Sequence, residues 1–355
     1  MGKPLSVVIC DDSRLARKQM ERALAQWNVD ITHANHGLEA LEAIRAGKGE
    51  LLFLDLNMPL LDGYQVLERI RAHDLPTLTI VVSGDIQPEA RERVIQLGAL
   101  DFIRKPLDTD LLTRSLRSFG LLEELTASFV ADAHETEPSP AQPLSPPALK
   151  PDTGFGLDPV SRAFELTECY QELANVAMGQ AADRLARLLR VFIELPIPRV
   201  QLVELCELDM ALRQASGDNP ITTICQGFIA PGIAGEALLM FSDSSTQDLA
   251  LMLGHEGEIT DQVERELMMD IANLLIGAFL NGLGTQLDLS FGQGSPLILG
   301  QHCAIPDLNH NNNRWTRTLS IDIGYRIEGR DLSCDLLLLF TEDSLPAMNE
   351  LVRHL

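Results

Sequence analysis

The 355-residue chain has only six cysteines, and no two of them form a C-x-x-C pair. Scattered as Cys10, Cys169, Cys206, Cys225, Cys303 and Cys334, they suit buried reduced thiols. Their spacing excludes a disulfide framework and a cysteine-based zinc site. The eight histidines show no H-x-x-x-H or H-E-x-x-H spacing. His302, His310 and the Asn311–Asn313 run are therefore expected in a polar surface loop. No stretch reaches the roughly 18 uncharged apolar residues that cross a bilayer, so no membrane segment is expected. The opening Met1-Gly2-Lys3-Pro4 meets only a short apolar run before Asp11 and Asp12, which is not the pattern of a signal peptide and points to a cytoplasmic location. Lysine is absent from residues 158–355, which carry 12 arginines against 28 aspartates and glutamates. A surface that acidic repels phosphate backbones. No nucleic-acid partner is expected, and the partners should be proteins.

What is present suits two folded units, with 45% hydrophobic and 22% charged residues over a length of about two domains. Six of the 14 residues from Pro138 to Pro151 are proline. Such a stretch has too little apolar surface to offset the entropy of ordering and reads as a linker, assigned here to residues 126–157. It separates a unit at 1–125 from one at 158–355.

The first unit alternates five short apolar runs (Leu5–Cys10, Asp30–Ala34, Leu51–Leu54, Thr79–Val82, Asp101–Ile103) with five amphipathic helical patterns. That alternation predicts an α/β fold with a five-stranded, doubly wound parallel sheet. In such sheets function collects beyond the carboxyl ends of the strands. Here those ends carry Asp11-Asp12, Asp55, Ser83 and Lys105-Pro106. Three converging carboxylates call for a divalent cation, and hard oxygen ligands suit Mg²⁺. A lysine and a hydroxyl beside them are placed to hold a phosphoryl group, with positioning and charge compensation supplying most of the catalysis.

The second unit repeats itself. Glu172-Leu173-Ala174-Asn175-Val176-Ala177-Met178-Gly179 opens a helical pattern, and 98 residues later Asp270-Ile271-Ala272-Asn273-Leu274-Leu275-Ile276-Gly277 opens another. Each is followed by two strand-like runs and a closing helix: Ile221–Ala230, Glu236–Phe241 and Ser244–Leu253, then Arg317–Ile327, Leu332–Phe340 and Asp343–His354. The expectation is a pseudo-twofold duplicated α+β module with repeats at about 158–257 and 258–355. Residues three apart share a helix face, so Glu172 projects with Asn175 and Asp270 with Asn273. An acid lies four residues before each pair (Glu168, Glu266), and 22 residues separate each asparagine from a proline (Pro198, Pro296). An acid can pair with a lysine of another site, and an amide can orient a water there. The apolar stripes Leu185, Leu188, Leu189 and Leu274, Leu275, Phe279 are expected in the core.

Residues 4–122 resemble the two-component response-regulator receiver domain, on Asp11-Asp12, Asp55 with Asn57-Met58-Pro59 and Asp62-Gly63, Ser83-Gly84, Phe102 and Lys105-Pro106. The resemblance implies a flavodoxin-like fold and Asp55 as phosphoacceptor, with a histidine kinase as phosphodonor. It implies Mg²⁺ held by Asp12, Asp55 and the backbone carbonyl of Asn57, with Asp11 contributing through water. Ser83 and Lys105 would contact the phosphoryl group, the Lys105-Pro106 bond would be cis, and Phe102 would be either the switch aromatic or plain core. Residues 158–355 resemble the CheC/CheX family of chemotaxis phosphatases, whose pattern is an acid or serine, three residues, Glu, two residues, Asn, 22 residues, Pro. That likeness implies two catalytic pairs, Glu172/Asn175 and Asp270/Asn273, acting on receiver aspartyl phosphate. Asp270 stands where the family has glutamate. The same duplicated fold also resembles the flagellar-switch middle domain, a docking module without hydrolysis. Both readings stay open, as does hydrolysis in cis or on a separate receiver protein in trans. A CheD-like deamidase is a further partner the family implies.

Overall fold

The computed structural model describes residues 4–122, 159–204, 207, 221–242, 246–254, 257–303, 317–330 and 332–353. The proline-rich linker at 126–157 and the His310–Asn313 loop lie outside the described residues.

The N-terminal unit runs β1 (Leu5–Cys10), α1 (Arg14–Leu24), β2 (Val29–Ala34), α2 (Gly37–Arg45), β3 (Leu51–Leu54), α3 (Gly63–Ala72), β4 (Leu78–Ser83), α4 (Pro88–Gln96), β5 (Asp101–Arg104) and α5 (Thr109–Ser118). The strands pair in parallel in the order β2-β1-β3-β4-β5. Helices cover both faces, which is why the central runs Val7–Cys10 and Leu51–Leu54 are buried at every position. Side-chain caps set the helix starts: Ser13, Asp62 and Asp108 each accept a backbone N–H of the first turn. Gly63 is required where it stands, because a Cβ there would meet the backbone of Asp55 and Leu56.

The C-terminal unit continues with α6 (Pro159–Leu189), β6 (Ile193–Glu194), β7 (Arg199–Glu204), β8 (Ile221–Ala230), β9 (Ile233–Ser242) and α7 (Thr246–Met252). It then repeats as α8 (Asp261–Leu287), β10 (Gly292–Gln293), β11 (Leu297–Cys303), β12 (Arg317–Ile327), β13 (Ser333–Phe340) and, after a short 3₁₀ turn, α9 (Leu345–Val352). The eight strands form one antiparallel sheet along β10-β8-β9-β13-β12-β6, with β11 also on β8 and β7 also on β12. The order reads alike from both ends once each strand is exchanged for its counterpart. It also interlocks the halves: β6 and β7 extend the sheet at β12, while β10 and β11 extend it at β8. Both long helices end on a left-handed residue at matching positions, Arg190 (φ 56°) and Asp288 (φ 54°). α6 and α8 pack together on one face of the sheet in a core that includes Met178, Phe279, Leu239 and Ile323.

Two expectations need correction. Both long helices begin upstream of Glu172 and Asp270, at Pro159 and Asp261; α8 starts there because Thr260 caps it, its hydroxyl accepting from Val263 N–H. Leu188 is 40% exposed rather than core. α8 is long and apolar enough to cross a membrane by length and composition, with a mean hydropathy of 1.5 over 18 residues. It reads that way because it is a core helix, with 61% of that stretch buried inside the protein.

Candidate active site

The carboxyl ends of β1, β3, β4 and β5 bring Asp11, Asp12, Asp55, Ser83 and Lys105 to one edge of the parallel sheet. A ligand oxygen from each of Asp11, Asp12 and Asp55 falls within 4.8 Å of the others. Lys105 Nζ lies 2.8 Å from Asp11 Oδ2 and 3.3 Å from Asp55 Oδ1. Asp55 is 1% exposed, its Oδ2 accepts the N–H of Asn57 at 3.1 Å, and its Oδ1 accepts no hydrogen bond among the described residues. Arg17 Nη1 donates to the backbone carbonyls of Asp11 and Asp12 at 2.6 and 3.2 Å, fixing the turn that aims both acids. Ser83 is fully buried and its Oγ accepts from Asp85 N–H at 3.2 Å. The Lys105-Pro106 peptide is cis. Phe102 is half-buried against the core patch that contains Val81 and Val94.

The C-terminal unit closes over this edge. Glu172 of α6 puts Oε1 3.1 Å from Lys105 Nζ, and Asn57 Nδ2 donates to Asn175 Oδ1 at 3.4 Å. Glu172 and Asn175 are 7% and 5% exposed beneath the N-terminal unit. A cavity of about 150 Å³ beside them is lined by Asp12, Asn57, Glu168, Glu172, Asn175 and Pro198. The acid, the amide and the spaced proline of the first sequence repeat therefore share one cavity with Asp12 and Asn57. A second cavity of about 190 Å³ lies on the α1 side of Lys105, between Leu15 and Gln19 of α1, Val176 of α6 and Gln286 of α8. Asp270 and Asn273, by contrast, are exposed on α8 and are not brought to this pocket. Asn273 Oδ1 accepts from Gln226 Nε2 at 3.2 Å.

Four carboxylates around one ammonium set the electrostatics. Burial pushes Asp11 up to about 8, with Lys105 pulling it down and Asp55 and Glu172 pushing it further. Burial and then the neighbouring Asp11 raise Asp12 to about 7, and burial raises Asp55 to about 6. Burial alone would lower Lys105, but Asp11, Asp55 and Glu172 outweigh it and hold the ammonium well above the ordinary lysine range. Three clustered carboxylates that share one lysine carry an excess of hard anionic oxygens, which fits a divalent cation such as Mg²⁺ at Asp11, Asp12 and Asp55.

Sequence comparison decides the family of this unit. Residues 7–117 match the response regulator receiver domain. This part of the chain is a receiver domain. A protein-glutamate methylesterase/protein-glutamine glutaminase of Symbiobacterium thermophilum is 30% identical over 179 residues, covering 47% of this chain and 49% of that protein. The chain thus spans about half the length of that curated relative. Among solved structures, Thermotoga maritima FliY is similar over 54% of this chain and 96% of its own, at 18% identity and a TM-score of 0.42. The CheX-CheY-BeF3-Mg+2 complex from Borrelia burgdorferi matches 33% of this chain and 90% of that one, at 28% identity and a TM-score of 0.32. Receiver domains take phosphate from histidine kinases and bind Mg²⁺ through an acidic pocket such as the Asp11/Asp12/Asp55 group.

Sequence reasoning missed the segment that joins the two units. Gln87, between β4 and α4, is fully buried. It pairs with the backbone of Ile193 on β6. Gly84 lies directly against Asn175, Val176 and Gly179 of α6. Arg93 of α4 meets Glu328 at 3.2 Å on the exposed rim. The one sequence signal for this segment was the glycine directly after Ser83.

Proposed function

We propose that the chain is a response regulator phosphorylated on Asp55 whose C-terminal unit hydrolyses that aspartyl phosphate, acting first on its own receiver. One observation carries the proposal: within a single chain, Glu172 reaches Lys105 at 3.1 Å while Asn175 meets Asn57 in the adjoining cavity. In this reading the Glu172–Lys105 ion pair seats α6 over the pocket. The Asn175 amide, able to donate and accept, orients a water in the cavity that also holds Asp12, Asn57 and Pro198. At about 150 Å³ that cavity is roomy for water, whose share of liquid volume is about 30 Å³. The water oxygen bonds to phosphorus as the Asp55 carboxylate leaves with the bonding pair; one water proton stays on that oxygen and the other passes to a phosphoryl oxygen, so both depart on dihydrogen phosphate. Lys105 and Ser83 hold the phosphoryl oxygens. Asp11, Asp12, Asp55 and the Asn57 carbonyl would hold Mg²⁺, which when bound offsets the charge of the carboxylates and the phosphoryl group.

The Asp270/Asn273 face, exposed on α8, is assigned to receivers of other proteins in trans. A docking-only role, like that of the flagellar-switch middle domain, is the second reading for this face. It is favoured there because Asp270 and Asn273 are exposed on α8 and reach no carboxylate pocket or lysine among the described residues. A CheD-like deamidase is a further candidate partner, and the expected location is cytoplasmic.

The test is the lifetime of the acyl phosphate in the full chain after loading with a small phosphodonor and Mg²⁺. Asn175→Ala should lengthen it by about a hundred- to a thousandfold, the cost of one well-placed hydrogen bond to a reacting group. Asn273→Ala should leave it unchanged. Equal lifetimes in the parent chain and Asn175→Ala would reject hydrolysis in cis.

A further inference from the structure

Gln87 makes contacts that the chemistry above does not use. Its Oε1 accepts the backbone N–H of Ile193 at 2.9 Å and its Nε2 donates to the Ile193 carbonyl at 2.8 Å. The carboxamide thereby takes the place of a neighbouring peptide unit beside β6, which ends the sheet order. Nε2 also donates to Asp85 Oδ1 at 3.1 Å, and the same oxygen accepts the Gln87 N–H at 3.1 Å. Asp85 therefore fixes the amide's direction, since a flipped amide would set Oε1 against two oxygens. Beside it, a Cβ on Gly179 would run into the backbone of Gly84, so the strand-end loop rests on the helix with no side chain between them. Gln87 lines neither cavity at the carboxylate cluster.

We propose that Ser83-Gly84-Asp85-Ile86-Gln87 is the recognition segment by which α6 and β6 select a receiver. The substrate class this face takes is a receiver with glycine directly after its pocket serine and a glutamine, oriented by an aspartate, four residues after it. A receiver without that amide leaves the Ile193 N–H and carbonyl buried and unpaired, and a larger residue in place of Gly84 is held off the helix. The proposal deepens the hydrolase reading by naming what its first face accepts, and its docking part stands on the Gln87 geometry alone.

The test uses the full chain with Gln87→Ala, Gln87→Glu and, at the exposed rim, Arg93→Ala. Hydrogen exchange of the Ile193 amide reports docking, exchange at Leu239 in the central sheet reports an intact fold, and acyl-phosphate lifetime reports hydrolysis. Exchange at Ile193 should rise at least about tenfold in both Gln87 variants and less than about twofold in Arg93→Ala, with Leu239 unchanged. Lifetimes should lengthen in the same two variants. If Leu239 exchange also rises, the shorter but still polar Gln87→Asn takes their place and should give the same loss at Ile193. Unchanged Ile193 exchange overturns the recognition role, whatever the lifetimes do. Faster exchange with unchanged lifetimes upholds recognition and counts against hydrolysis on this face, as an unchanged lifetime in Asn175→Ala also would.

Discussion

Lys105 of the receiver and Glu172 of α6 stand 3.1 Å apart, both nearly shut off from solvent. The lysine that Asp11 and Asp55 share is thus shared a third time, with a residue from the other half of the chain. A buried cation serving three acids is the hinge of the pocket's stability, and its removal has a calculable direction.

Replacing it by Lys105→Met leaves Asp11, Asp55 and Glu172 buried without a counter-charge. Breaking a buried charge cluster on one side costs about 3–5 kcal/mol. The melting temperature of the variant, measured in chelator, should fall accordingly. Added Mg²⁺ should restore more stability to the variant than to the parent chain, because the cation supplies the missing positive charge. An equal Mg²⁺ response in both would contradict this account.

Two glycines at matching places should respond in opposite directions. Gly179→Ala drives a Cβ into the backbone of Gly84, so the receiver must lift from α6. Overpacking of this kind costs about 1–3 kcal/mol, and it should expose Lys105 as well. Gly277→Ala meets only the Gln293 side chain at an ordinary 3.4 Å. It should stabilise α8 by up to about 1 kcal/mol through helix propensity. Denaturant midpoints of the two variants against the parent chain check both signs.

Asp85 gives a pH dependence away from the cation pocket. Burial raises its carboxyl to about 6, against hydrogen bonds from Gln87 that lower it. A folded-state pKa above the unfolded value means the native state binds the proton more tightly. This contribution to stability is complete below about pH 4 and is lost as pH climbs to about 6. Asp85→Asn should remove that slope and be the more stable form at neutral pH, by about 3 kcal/mol at most. Stability curves at pH 4, 5, 6 and 7 decide it. A parallel slope in the variant would assign the loss to other groups.

How much of this could be read beforehand depends on range. β1, β3 and β4 are legible because a strand covered on both faces must be apolar throughout, and their ends then name Asp11, Asp12, Asp55 and Ser83. The repeat behind α6 and α8 is legible because Asn175 and Asn273 carry the same neighbours at a fixed interval. β6 was not legible as a strand: two residues, Ile193 and Glu194, show no period. The contact of Gln87 with that strand was hidden for a different reason. A lone glutamine in a loop has many surface uses, and only tertiary folding sets it against a sheet edge. The upstream start of α8 is not carried by the residues that repeat; it is set by the hydroxyl of Thr260, which caps the helix ahead of them.

The crossed strands of the C-terminal sheet bear on how such a molecule could arise. Each half completes its layer by borrowing β-structure from the other, β6 and β7 in one direction and β10 and β11 in the reverse. One half on its own would leave two raw sheet borders, and it could complete the same layer only by exchanging these strands with a second copy. Carried in one polypeptide, the twin surfaces need not match: one holds the attached receiver and the other lies open to solvent.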